Sequence, residues 1–75
     1  MTPLDATFVY GSPPGALELR ALDDVREVYG IRRLGVDERA HTILVEYDAS
    51  RLTEADVAAL LRAARIDLHG RLSPV

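Results

Sequence analysis

His41 and His69 are the only imidazoles in the chain, and there is no cysteine. Thiolate metal sites, cysteine nucleophiles and disulfides are therefore excluded, leaving imidazole and carboxylate as the available ligand chemistry. His69 follows Asp67 by two residues, which puts both on one face of an extended strand. Two donors of this kind hold Zn(II) or Cu(II) weakly and without selectivity. His41 has no partner at a ligand spacing, and ordinary exposed histidines are the simpler account of both. Nucleophilic catalysis finds no support, because Ser12, Ser50 and Ser73 lack a histidine–carboxylate pair and Ser12 and Ser50 suit caps or turns. Asp23-Asp24 and Asp37-Glu38 suit a helix surface and a turn tip. Gly11-Ser12-Pro13-Pro14-Gly15 lacks the lysine and the spacing of a phosphate loop. No enzyme and no cofactor is expected.

The elements that must position these residues alternate regularly. A strand is expected over 6–10, ended by Gly11. Ser12 and Pro13 offer a helix start, and Leu17, Ala21, Val25 and Val28, with Leu22 beside them, make an apolar stripe that Gly30 can cap. A hairpin follows: 31–36, a polar turn at Asp37-Glu38-Arg39-Ala40, and 41–47, where Ile43, Val45 and Tyr47 alternate with Thr42, Leu44 and Glu46. Thr53 with Asp56 reads as a helix N-cap, Leu52 with Val57 as a hydrophobic staple, and Arg62 and Arg65 fall in the last turn. A last strand is expected over 66–72. Strand, helix, strand, strand, helix, strand is the order of the ferredoxin-like βαββαβ sandwich. That fold is α+β, with a four-stranded antiparallel sheet and two helices on one face.

Composition fits one domain spanning 1–75. With 48% hydrophobic and 28% charged residues the chain is not disordered, although at this length its core is thin. The net charge of −3 is mild, and every basic side chain is an arginine, scattered along the chain, so nucleic acid is not expected. There is no apolar run long enough for membrane insertion and no signal-peptide pattern over Met1 to Asp5. A cytosolic protein is expected.

Val9-Tyr10-Gly11, Val28-Tyr29-Gly30-Ile31, Leu34 with Val36, Val45-Glu46-Tyr47-Asp48 and Leu52-Thr53-Glu54-Ala55-Asp56-Val57 together resemble the heavy-metal-associated domain family of small copper and zinc chaperones. The resemblance covers Phe8 to Leu68 and implies the same fold. That family binds metal through Gly-Met-x-Cys-x-x-Cys in the first loop. Here Gly11 matches, Ser12 replaces the Met, and Pro14 and Leu17 stand at the two Cys positions. Neither residue can ligate a metal, so thiolate exchange is not carried over, and Leu17 is expected to join the core stripe. A metal-handling accessory role through His41, His69 and Asp67, or through ligands supplied by a partner, stays open as an alternative. A third expectation is an anion site formed by Ser12, Gly15 and the helix-opening amides with Arg65.

The uncovered face of the sheet offers a further reading. If Val9, Leu34, Val36, Ile43, Val45 and Leu68 face the helices, then Phe8, Tyr10, Arg33, Thr42, Leu44, Glu46, His69 and Arg71 share the open face. Aromatic, aliphatic and arginine side chains on one flat surface suit an interface centre. Phe8, Tyr10, Arg33, Leu44, His69 and Arg71 are the residues expected to dock a protein partner or a second copy. The edge strand carrying Arg32 and Arg33 is a second route, by strand addition. An ordinary half-buried sheet and a nucleic-acid platform are the competing readings.

Overall fold

The structure, a computed structural model, describes residues 3–71. Its elements are β1 (Pro3–Tyr10), α1 (Ala16–Arg26), β2 (Ile31–Asp37), β3 (Thr42–Asp48), α2 (Glu54–Ala63) and β4 (Leu68–Arg71). The strands form one antiparallel sheet in the order β2-β3-β1-β4. The architecture is α+β, with four antiparallel strands and two helices. Leu72, the expected end of the last strand, and the outward placement of the Arg71 side chain lie outside the described residues; Arg71 enters the ladder opposite Phe8.

α2 begins as its sequence dictates. Thr53 Oγ1 accepts from the Asp56 amide at 3.1 Å, and the Asp56 carboxylate accepts from the Thr53 amide at 2.9 Å, satisfying amides that the first turn leaves unpaired. The helix ends sooner than expected. Arg65 stands beyond the last turn with a left-handed φ of 65°. Its amide donates to Arg62 and the Ile66 amide donates to Leu61, the paired bonds of a Schellman cap. A glycine is the usual occupant of that position. Here the buried pair Leu61 and Ile66 supplies the apolar contact that accompanies such a cap.

α1 departs from expectation at both ends. It opens at Ala16 rather than Pro13, with Gly15 as N-cap, and ends at Arg26. Gly30 lies beyond it in a turn, at φ 104°, where an added Cβ would press on Leu52 at 3.0 Å. Leu22 and Val25 form the buried face. Leu17 is 74% exposed, not part of the core. At 100° per residue it lies well round the helix from Leu22 and Val25, so the apolar stripe narrows as it runs toward the N-terminus.

The main correction concerns β1. Ala6, Phe8 and Tyr10 are buried, whereas Val9 is only half-buried. The register sets Ala6 opposite Val45 and Phe8 opposite Ile43, and Leu34 on β2 also faces Val45. All these positions therefore lie on one sheet face, packed with Leu22, Val25, Val57 and Leu61 of the helices. Phe8 and Tyr10 point into the core, the reverse of the expected phase. Side chains alternate with period 2, so choosing Val9 as the inward residue turned every β1 side chain over. Burying two aromatic rings removes far more apolar surface from water than burying Val9 with Thr7 and Asp5. The hairpin phase stands: Ile43, Val45, Tyr47 and Leu34 are buried, and Leu44 is exposed.

Phe8→Ala is expected to cost about 3–5 kcal/mol, a large part of the stability of so small a domain. Leu44→Ala, on the other face, should stay within about 0.5 kcal/mol of the parent. Urea unfolding of the two variants measures both values, and equal losses would contradict the phase.

Candidate functional site

Three places hold the residues that could act. The first is the loop after β1. β4 meets β1 with a register shift: Val9 pairs with Gly70 and Tyr10 with Leu68, so His69 is the extra residue of a bulge. Bulges at sheet edges re-aim side chains. His69 Nε2 lies 3.3 Å from Asp67 Oδ2, and the same oxygen accepts from the Ser12 amide at 2.8 Å. Gly11 makes this closeness possible, because a Cβ there would collide with the His69 ring and the Asp67 carboxylate. The two donors expected from their spacing are thus side by side. His41 is elsewhere: its ring stacks on Tyr10, with centroids 5.2 Å apart and planes within 8°. Among the described residues no group of three or more His, Cys, Asp or Glu is arranged to hold a metal.

The amides expected to attract an anion already have carboxylate partners. Asp67 takes that of Ser12, and Glu18 Oε1 accepts from Gly15 at 2.9 Å. No hydrogen bond or ion pair joins Arg65 to either residue. An incoming anion would have to displace the protein's own acids. The Ser12 amide, above all, holds the Asp67 carboxyl below the usual carboxylate range; desolvation opposes it, and the neighbouring His69 adds to the lowering.

The second place is the open sheet face. The ladder arranges it in rows: Arg33, Glu46 and Asp5; then Gly35, Leu44 and Thr7; then Asp37, Thr42 and Val9. Leu44 is 41% exposed and is the one large apolar side chain at its centre. A depression of about 400 Å³ runs beside it over Thr7, Gly35, Val36, Asp37 and Thr42. Phe8 and Tyr10 are absent from this face. Tyr10 is instead sealed under His41, and its hydroxyl donates a long bond of 3.5 Å to the Asp37 carbonyl. Burial, then the nearby Glu38 and Asp37, push the Tyr10 phenol up.

Inspection of the sequence missed a third place. The Arg51 guanidinium lies 4.3 Å from the centre of the Tyr29 ring, beside a shallow cavity of about 350 Å³ also lined by Arg26, Arg32 and Asp48. Arg26 pairs with Asp23, Arg32 with Glu46 and Arg51 with Asp48, so these charges are largely compensated. Tyr29 and Arg51 are far apart in sequence, and no local pattern links them.

No protein-family model matches the chain, and no curated protein matches it.

Asp67 contributes to stability at neutral pH because its folded pKa is depressed, and that contribution disappears as pH falls through the folded value. An NMR titration should place the Asp67 carboxyl midpoint below that of an ordinary aspartate, with the Ser12 amide shifting in step. Asp67→Asn should abolish the Ser12 shift. An ordinary midpoint with a silent Ser12 amide would refute the hydrogen bond as its cause.

Proposed function

We propose that the chain is a non-enzymatic docking domain of the ferredoxin-like, heavy-metal-associated type that has lost its thiolate site and engages a protein partner. The strand order β2-β3-β1-β4, with the two crossover helices on one face, supports that fold. Pro14 and Leu17 at the thiolate positions support the loss of metal exchange. The observation that carries the docking reading is the uncovered sheet face. There Leu44 projects between Thr7 and the side-chain-free Gly35, with Arg33 close by. An apolar centre with a charged rim is how protein interfaces are built. No described helix is long and apolar enough to cross a membrane; a cytosolic setting belongs to this reading on the mixed-charge composition.

A second reading is favoured by one observation, the Asp67–His69 pair lying against Gly11. These two donors could complete a metal site whose remaining ligands come from a partner. Zinc titrated into the protein alone would then move the Ser12 and His69 amides together but weakly, well short of saturation at micromolar concentrations, and Asp67→Asn would remove the shift.

The docking reading is tested with a photo-crosslinking amino acid placed at Leu44 and, as a control, at Ala59 on α2. A discrete adduct at position 44 that Arg33→Ser weakens is the expected result. The same labelling from both positions would refute the assignment.

A further inference from the structure

We propose that the partner includes a second copy of this chain, paired antiparallel along β2 with Gly35 on the two-fold axis. This rests on the docking reading, since it extends the same open face across two copies. β2 is an edge of the sheet, and edge strands present backbone groups that accept another strand. The Leu34 carbonyl now accepts from Arg26 Nη2 at 3.3 Å, a long contact from a half-exposed side chain that a second strand would displace. A two-fold axis perpendicular to the sheet keeps each residue on its own face, so even positions meet even positions and odd meet odd. The bulge at Arg32 limits regular pairing to Arg33 through Asp37.

Within that stretch the register decides itself by charge. Centred on Gly35, Arg33 of each copy stands opposite Asp37 of the other on the open face, and Leu34 stands opposite Val36 on the helix face. Shifted one way, to a centre at Leu34, Arg33 meets Gly35 and Asp37 meets the apolar Ile31 across the bulge. Shifted the other way, to a centre at Val36, the buried Leu34 meets Glu38. A centre at Arg33 sets two guanidinium groups against each other. Directly opposed unlike charges stabilise a strand pair and like charges destabilise it. Arg33 and Asp37 are both exposed, and the Asp37 carboxylate is already oriented by accepting from the Arg39 and Ala40 amides at 3.0 and 3.1 Å. Glycine inside a strand often marks close approach of another backbone. A Cβ at Gly35 would meet nothing within 4 Å inside its own chain, so packing within the domain does not require a glycine there. A charge that discourages pairing with an uncharged strand, Arg33, becomes the recognition element for a second β2.

Sedimentation velocity over a range of protein concentrations at low salt reads the association. Arg33→Asp and Asp37→Arg should each weaken the dimer by about tenfold, because each change alters both symmetric pairs, and the double swap should restore it. Asp37→Arg also removes the turn bonds to Arg39 and Ala40, so a second variant guards against misfolding. Gly35→Cys places a single thiol on the axis in a chain that otherwise has none, and mild oxidation should link it into dimers while Ala59→Cys stays monomeric. A parent protein still monomeric at about 1 mM, or equal crosslinking from both cysteines, overturns the proposal. An adduct at position 44 under those conditions would leave the docking reading standing, so the two failures are distinguishable.

Discussion

The structure depends on the burial of Phe8 and Tyr10 in β1, between β3 and β4 and beneath the two helices. β1 is central, so its phase decides which side of the sheet is core. With both rings inward, Ala6, Ile43, Val45 and Leu34 fall into the same layer, and Thr7, Val9 and Leu44 turn outward. The hairpin loop is tied to the same event. His41 adopts a left-handed φ of 55° and lays its ring over Tyr10, while the Asp37 carbonyl receives the Tyr10 hydroxyl. A residue that invited reading as a metal ligand is thereby a cover for a buried phenol.

In the loop after β1 the backbone amides are taken up by the protein's own carboxylates. A metal-exchanging loop keeps its donors accessible so that an ion can pass to another set of ligands. Here Asp67 and Glu18 turn their carboxylates onto the amides of Ser12 and Gly15, and Leu17 is exposed on the first turn of α1. Gly11 has a steric purpose, because it makes room for the Asp67–His69 pair.

Much of this was legible in the sequence. The element order, the β2–β3 hairpin with its phase, and the Thr53–Asp56 cap are local patterns, in which periodicity or a three-residue spacing carries the information. The Asp67–His69 pair was visible for the same reason. The phase of β1 was not, because its two faces are both partly apolar: Phe8 and Tyr10 on one side, Val9 and Thr7 on the other. Only the competition for burial against the helices separates them. The narrowing stripe of α1, the non-glycine cap at Arg65 and the Tyr29–Arg51 contact were likewise beyond reach, since each depends on what packs nearby in space rather than along the chain.

The account turns on which face of β1 is core. The most direct measurement is solvent paramagnetic relaxation of side-chain resonances in the intact protein, read together with ring-to-methyl nuclear Overhauser contacts. Phe8 and Tyr10 should be shielded from a soluble paramagnetic probe and show contacts to the core methyls of Leu22, Val57 or Leu61, while Leu44 and Val9 relax strongly. Strong relaxation of the Phe8 and Tyr10 rings, with Val9 protected, would contradict the account.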